Sequence, residues 1–175
     1  MTFPMKQFLR SAILASVAIA SVGASSAQTN PGFILFGSNR DNALDYCLDS
    51  GQSSANDRYY LEVKPQKFKV SEIILSFPEH YTGIIDTDLV ELRVMSDGEC
   101  RGGKAIPITS AKLDQSSRRL VVIPKAEIPA ETRLRVVLSN VRNPNNGGFF
   151  QIDARVLRAD VPVPVYIGSY IMTIN

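Results

Sequence analysis

Residues suited to acid–base chemistry are sparse in this sequence. His80 is the only histidine, and it follows Pro78 in a polar stretch. A general base needs one group that orients it and another that it deprotonates, and a lone histidine defines neither. No G-x-S-x-G motif accompanies it, and a zinc site would need further His or Cys ligands close by. The sequence therefore predicts a turn or surface position for His80 and assigns no catalytic residue.

Two short acidic segments are candidates for binding an ion. Asp86 and Asp88 precede an apolar, strand-like stretch, and Asp97 and Glu99 follow it. The ends of such a strand lie roughly 20 Å apart, so one ion cannot bridge the two segments. Each pair alone supplies fewer than the roughly six to eight oxygens that calcium takes. Asp86 and Asp88 remain the calcium candidates; the alternative is that Asp86 caps a turn and that Asp97 and Gly98 form another.

Cys47 and Cys100 are the two cysteines of the chain. In an oxidising compartment an even pair predicts one disulfide. The alternative is a pair of free, buried thiols. A metal site or a redox pair is disfavoured, because the two residues lie far apart in the sequence and no histidine is near either.

Residues 1–27 have the three parts of a secretory signal. Lys6 and Arg10 provide positive charge, an apolar run follows, and small residues precede Gln28. The apolar run of roughly 14 residues is shorter than the ~20 of a membrane-spanning helix. We therefore predict a cleavable signal peptide and a single mature domain over 28–175, with no membrane anchor after cleavage. The expected location is the periplasm, the thylakoid lumen or the extracellular space.

Removal of the predicted signal changes the charge balance. The full chain carries 19 basic and 17 acidic residues, and without Lys6 and Arg10 the two counts are equal. Because the remaining charges of both signs are interleaved, no basic surface for nucleic acid is predicted. The mature chain of about 148 residues suits one domain with its own core.

The periodicity of the mature sequence is mainly that of β-strands. Apolar runs separated by Gly, Asn and Pro turns predict an antiparallel β-sandwich of immunoglobulin-like or jelly-roll-like type. Pro162 and Pro164 cannot donate to a strand ladder, so they predict a sheet edge or a crossing between sheets. One short N-terminal helix is predicted over 39–48, where apolar residues recur at helical spacing. The predicted strands are 58–63, 70–77, 89–95, 105–109, 120–123, 133–141, 149–157 and 165–174.

Two aromatic pairs, Tyr59–Tyr60 and Phe149–Phe150, each direct one ring away from the core. This follows because neighbouring residues in a strand point to opposite faces. An outward ring either marks a binding surface or is covered by the apolar N-terminal segment 33–48. The second interpretation is favoured, because that segment must pack against something.

Three groups of residues together are similar to a known family. They are DYCLD at 45–49 with DRYYL at 57–61, FPEHYTG at 77–83 with VELRV at 90–94, and IPA at 128–130 with LRVVLSNVRNP at 134–144. Across most of residues 45–174 the chain resembles an uncharacterised family of exported cyanobacterial proteins, catalogued as a domain of unknown function. The resemblance implies a cyanobacterial source and export, and it implies no activity.

These observations favour a non-catalytic function. We predict an exported binding or structural module of the cell envelope or lumen, whose partner is an envelope protein or glycan and which needs no cofactor unless calcium binds. The alternative is a carboxylate-dependent hydrolase acting on envelope glycans. That activity requires two carboxylates facing each other about 5–9.5 Å apart across a cleft.

Overall fold

The alternating apolar pattern forms β-strands in a computed structural model, which describes residues 42–95 and 100–175. The predicted signal peptide, the first residues of the predicted helix, and Asp97 and Glu99 lie outside these ranges. Ten strands and one 3-10 turn are described: β1 Tyr46–Leu48, β2 Asn56–Val63, β3 Val70–Ser76, the 3-10 turn Thr87–Leu89, β4 Val90–Val94, β5 Lys104–Ile106, β6 Ile108–Asp114, β7 Arg119–Pro124, β8 Leu134–Arg142, β9 Gly148–Arg158 and β10 Pro164–Ile174.

The strands form two antiparallel sheets of five strands each. The order is β1-β2-β8-β4-β5 in the first sheet and β10-β9-β3-β7-β6 in the second. Alternate residues of both sheets point inward and form the core, which includes Leu61, Ile73, Leu92, Val136, Ile152 and Met172. The predicted antiparallel β-sandwich is confirmed. The described residues contain no helix long and apolar enough to cross a membrane.

The chain crosses between the sheets on both sides of the sandwich. On one side Pro107 alone separates β5, the edge of the first sheet, from β6, the edge of the second. On the other side Ala43 pairs with Ser169 of β10, and the Leu44 N–H donates to the Ser169 carbonyl at 2.9 Å. The chain then continues as β1 beside β2 of the first sheet. Each side is therefore joined by a short covalent crossing.

The predicted helix over 39–48 is wrong from residue 43 onward, and residues 39–41 lie outside the described ranges. Residues 46–48 form β1, in which Cys47 lies opposite Tyr60 of β2. Leu44, Tyr46 and Leu48 pack against the core, and their spacing of two is that of a strand. Strand pairing also satisfies backbone groups at the exposed edges of both sheets, which a helix would leave unpaired. This tertiary gain outweighs the local helical spacing.

The predicted strands are confirmed with changes of one or two residues at their ends, except that β6 runs five residues beyond the predicted end at 109. The segment 105–109 divides into β5 and β6 at Pro107, because a proline cannot continue the ladder. Pro164 is the first residue of β10, and β10 is an edge strand, as the two prolines predicted.

The connection between β4 and β5 is fastened to the outer face of the first sheet. Cys100 in this connection forms a disulfide with Cys47 of β1. Next to it, the Arg101 Nε donates to Asp49 at 2.8 Å. Arg93 and Arg135 donate to the carbonyls of Arg101 and Gly102, at 3.1 and 3.3 Å. The predicted disulfide is thus present and joins the edge strand β1 to a connection that begins at β4.

We expect the disulfide to contribute substantially to stability. It closes a separation of 53 residues, for which the chain-entropy model gives about 4 kcal/mol as an upper figure. Chemical denaturation of the Cys47→Ala/Cys100→Ala variant should show a free energy of unfolding lower by up to that amount. Reduced wild-type protein is the matched control and should behave like the variant. Equal stability of oxidised and reduced protein, or two thiols titrating in the native state, would contradict the expectation.

Candidate functional site

A buried carboxylate lies at one end of the sandwich. Asp57 in β2 is only 5% exposed, and its two oxygens accept four hydrogen bonds. The donors are the backbone N–H groups of Ser50 at 2.9 Å, Gly51 at 2.7 Å and Arg58 at 2.7 Å, and the Asn143 side-chain amide at 2.9 Å. Burial raises the pKa of Asp57, but the four hydrogen bonds lower it by more, so the pKa lies below its ordinary value. The group therefore stays ionised in the fold.

A chain of buried hydrogen bonds continues from this carboxylate. The Asn143 amide also donates to the Gln52 carbonyl at 2.8 Å, and its carbonyl oxygen accepts from the Tyr59 hydroxyl. The Tyr81 hydroxyl donates in turn to the Tyr59 oxygen at 3.1 Å. Burial raises the pKa of Tyr59, and it raises that of Tyr81 to about 12. Both phenols are therefore neutral donors, and we call Asp57, Asn143, Tyr59 and Tyr81 the buried polar network.

An open pocket of ≈ 340 Å³ brings two carboxylates to one surface, beside the buried polar network. Asp49 and Asp57 line it together with Arg58 and Asn140, among others. The Asp57 oxygens already accept four hydrogen bonds, and Asp49 accepts from Arg101. A general acid in a glycosidase needs a raised pKa, whereas that of Asp57 is lowered. The hydrogen bonds of Asp49 and Asp57 therefore indicate that the two carboxylates stabilise the local structure rather than transfer protons.

His80 and Asp86, which were predicted as a possible base and a possible calcium ligand, contact neighbouring backbone and side-chain groups. His80 is exposed, its Nε2 lies 3.2 Å from the Phe149 carbonyl oxygen, and its ring stacks on Phe150. Asp86 caps the 3-10 turn by accepting from the Asp88 N–H at 3.2 Å. The other Asp86 oxygen accepts from Asn140. Within residues 42–95 and 100–175 no three His, Cys, Asp or Glu side chains are grouped to hold a metal ion.

An apolar groove lies at the other end of the sandwich. Strand pairing places Val63, Leu134 and Val94 together at this end, whereas Asn56 pairs with Arg142 beside the buried polar network. The groove has a volume of ≈ 490 Å³, within the range of small-molecule sites. Its lining residues are Val94, Ile106, Pro107, Lys125, Ala126, Glu127, Ile128, Pro129 and Thr132.

Backbone hydrogen bonds fix the walls of this groove. Ile128 and Val70 exchange two of them, at 3.0 and 2.9 Å. The Lys125 N–H donates to the Pro107 carbonyl at 3.0 Å, which fastens the β7–β8 connection to the crossing between the sheets. Pro107 and Pro129 add two residues of fixed φ. The groove is therefore preformed, and apolar side chains make up most of its surface.

The two outward aromatic rings have different surroundings. Tyr60 is buried on the outer face of the first sheet, whereas Phe149 is 57% exposed on the outer face of the second. The described part of the N-terminal segment, 42–48, therefore does not cover Phe149, and residues 33–41 lie outside the described ranges. The buried polar network was not predicted at all, although its members occur in the segments 57–61, 77–83 and 134–144 that carry the family resemblance.

These features define a class of protein, a β-sandwich domain with a polar, tightly bonded end and an open, apolar end. The chain belongs to the family described as "Protein of unknown function (DUF2808)", whose model matches residues 33–174. No curated protein sequence matches the chain significantly.

Several solved structures are similar in fold. BslA, a bacterial hydrophobin, aligns over 76% of this chain and 97% of its own, at 12% identity and a TM-score of 0.50. A collagen-binding domain from a Staphylococcus aureus adhesin aligns over 69% and 87%, at 13% identity and 0.36. An uncharacterised protein from Nocardia farcinica with an immunoglobulin-like fold aligns over 75% and 97%, at 10% identity and 0.42. At such identities the likeness is one of fold alone.

We expect the buried polar network to make stability sensitive to acid. The pKa of Asp57 is lower in the folded than in the unfolded chain, so its contribution is present above the unfolded value, near 3.9, and is lost as the pH falls through the folded value. Asp57→Asn should lower the free energy of unfolding at neutral pH. It should also reduce the loss of that free energy as the pH falls, to which one carboxylate can contribute up to about 1.4 kcal/mol per pH unit.

Urea denaturation between pH 2 and pH 7 measures this effect. Asp88→Asn is the matched control, because Asp88 is exposed on the 3-10 turn, and it should keep the wild-type slope. If the Asp57→Asn and wild-type curves run parallel over the whole range from pH 7 to pH 2, the proposed linkage is wrong.

Proposed function

We propose that this chain is an exported, non-catalytic binding or structural module and that the apolar groove is a site where it holds its ligand. The groove is the observation on which the proposal rests. It is preformed, it is lined mainly by apolar side chains, and its volume of ≈ 490 Å³ suits a small apolar molecule or an apolar side chain of a partner.

The arrangement of ionisable groups supports a binding function over hydrolysis. Glu127 is the one acidic residue among those lining the groove, and it forms an ion pair with Lys69 at 3.5 Å. The acids at the other end, Asp49 and Asp57, are engaged in hydrogen bonds that hold backbone and a neighbouring arginine. A glycosidase would need a facing pair with separated pKa values, one raised to act as the acid.

Two observations support export to an oxidising compartment. The Cys47–Cys100 disulfide persists where thiols are not kept reduced, as in the periplasm, the thylakoid lumen or outside the cell. The predicted signal over 1–27 would direct the chain there. A cyanobacterial source is part of the same proposal, on the family resemblance.

Binding of an apolar probe tests the groove. Titration with the uncharged dye 1-anilinonaphthalene should give saturable fluorescence enhancement with one site per native protein. Ile106→Lys, which places a charge in the groove, should weaken the enhancement at least tenfold. Ile84→Lys is the matched control, because Ile84 is 65% exposed beside Arg142 at the far end of the sandwich, and it should bind like the wild type. Equal binding by all three proteins, or none by the wild type, would refute the proposal.

A further inference from the structure

A β-bulge in β10 changes which side chains share the outer face of the second sheet. Tyr166 and Ser169 are three positions apart, so in a regular strand they would point to opposite faces. The pairing of β10 with β9 shifts between Tyr166 and Gly168, and after the shift both side chains lie on the outer face and touch. Gly168 has φ +139°, and a Cβ there would collide with the backbone of Asn42 and the side chain of Leu44. Bulges of this kind commonly redirect a side chain at a binding or active site.

The redirected side chains form a preorganised cluster. The fully buried Ser169 hydroxyl donates to Asp153 at 2.7 Å, so its oxygen is left to accept from the Tyr166 hydroxyl at 2.6 Å. Gln151 donates to the same Asp153 oxygen at 2.8 Å. Arg155, on the same face of β9, lies opposite Tyr166 in the strand register. We call Gln151, Asp153, Arg155, Tyr166 and Ser169 the bulge cluster.

The bulge cluster keeps hydrogen-bonding capacity at the surface. Tyr166 is 41% exposed, and the Arg155 guanidinium carbon lies 5.7 Å from the centre of its ring. The Arg155 NH2 lies 3.9 Å from Asp153, and its NH1 is 3.5 Å from the Ser76 hydroxyl, so both bonds are long and leave donors for a ligand. In the part of the chain described, the Gln151 Oε1 has no hydrogen-bond partner, but it is buried, so the exposed capacity is that of Arg155, Asp153 and Tyr166.

We propose that the bulge cluster binds a sugar ring of a neutral glycan. One carboxylate and one guanidinium give it no net charge, which matches an uncharged ligand better than an ion. The Asp153 carboxylate and the Arg155 guanidinium provide both acceptors and donors for hydroxyl groups. The exposed phenol ring offers an apolar surface to the C–H face of a pyranose. The inference rests on the proposed function only in that the domain binds rather than catalyses, because the groove is a separate surface.

The surrounding sheet face suits an extended chain rather than a small molecule. Phe149, the exposed ring at the other end of β9, lies six residues from Arg155 on the same face, a distance of roughly 20 Å along the strand. Gln151 and Asp153 lie between them at alternate positions. Aromatic rings at both ends with polar groups between them would contact successive sugars of an oligosaccharide.

Affinity gel electrophoresis tests the proposal with defined polysaccharides. The mature domain is run in native gels containing dextran, a mixed-linkage β-glucan or a galactomannan, and in a gel containing anionic alginate. We expect retardation of the wild type by at least one neutral polysaccharide. Tyr166→Ala should weaken it at least tenfold, whereas Tyr166→Phe keeps the ring and should retain most of it. Ile84→Ala is the matched control on another surface and should migrate like the wild type.

The outcomes separate this proposal from the proposed groove. Tyr166→Ala should still bind the anilinonaphthalene probe, and Ile106→Lys should still bind the glycan, which also shows that both variants are folded. The proposal is overturned if no neutral gel retards the wild type, if only alginate does, or if Tyr166→Ala is retarded equally. Loss of glycan binding in Ile106→Lys with unchanged binding in Tyr166→Ala would move the glycan to the groove.

Discussion

The architecture depends on one buried carboxylate and the hydrogen bonds that stabilise it. Removing an ionised Asp from water is costly unless it is fully hydrogen-bonded, and Asp57 accepts from three backbone N–H groups and one amide. Two of those N–H groups belong to Ser50 and Gly51, directly after β1. Gly51 also accepts from the Asn175 N–H, just past β10. One ionised group therefore holds the turn that joins the first sheet to the end of the second, and losing it would leave several buried polar groups unpaired.

This arrangement divides the sandwich into two ends with different physical character. At the Asp57 end the buried polar side chains form hydrogen bonds with one another, and the neutral Tyr59 and Tyr81 hydroxyls complete the network. At the other end, the β7–β8 connection is held by backbone bonds, and its Ile128 and Pro129 line an apolar groove. A ligand can then contact a preformed surface at a low cost in ordering.

The sequence predicted the sandwich because strand periodicity and turn residues are local signals. Even the division of β5 from β6 follows from a single proline. The prediction of a helix failed over 43–48 because the apolar residues there fit both the helical and the strand period. Only pairing with the sheet edges, which are distant in sequence, decides between the two. The disulfide was predicted from the even number of cysteines and from the expected oxidising compartment. The buried polar network could not be predicted, since Asp57 and Asn143 are separated by 86 residues and nothing local marks either as buried. The bulge beside Gly168 was missed because a glycine in a strand pattern has several explanations.

Gly168 links the fold to its surface chemistry. The segment 42–44 can approach β10 closely only where β10 lacks a side chain, and this approach joins that side of the sandwich. Gly168 follows directly after Ile167, the unpaired extra residue of the bulge, which brings Tyr166 onto the face of Ser169 and Asp153. The close passage of the N-terminal crossing segment therefore explains the glycine inside the strand, and the adjacent bulge explains the exposed ring beside polar groups. Because the glycine that admits the crossing segment and the bulge that redirects Tyr166 are adjacent in β10, the crossing segment and the bulge cluster should change together in related chains.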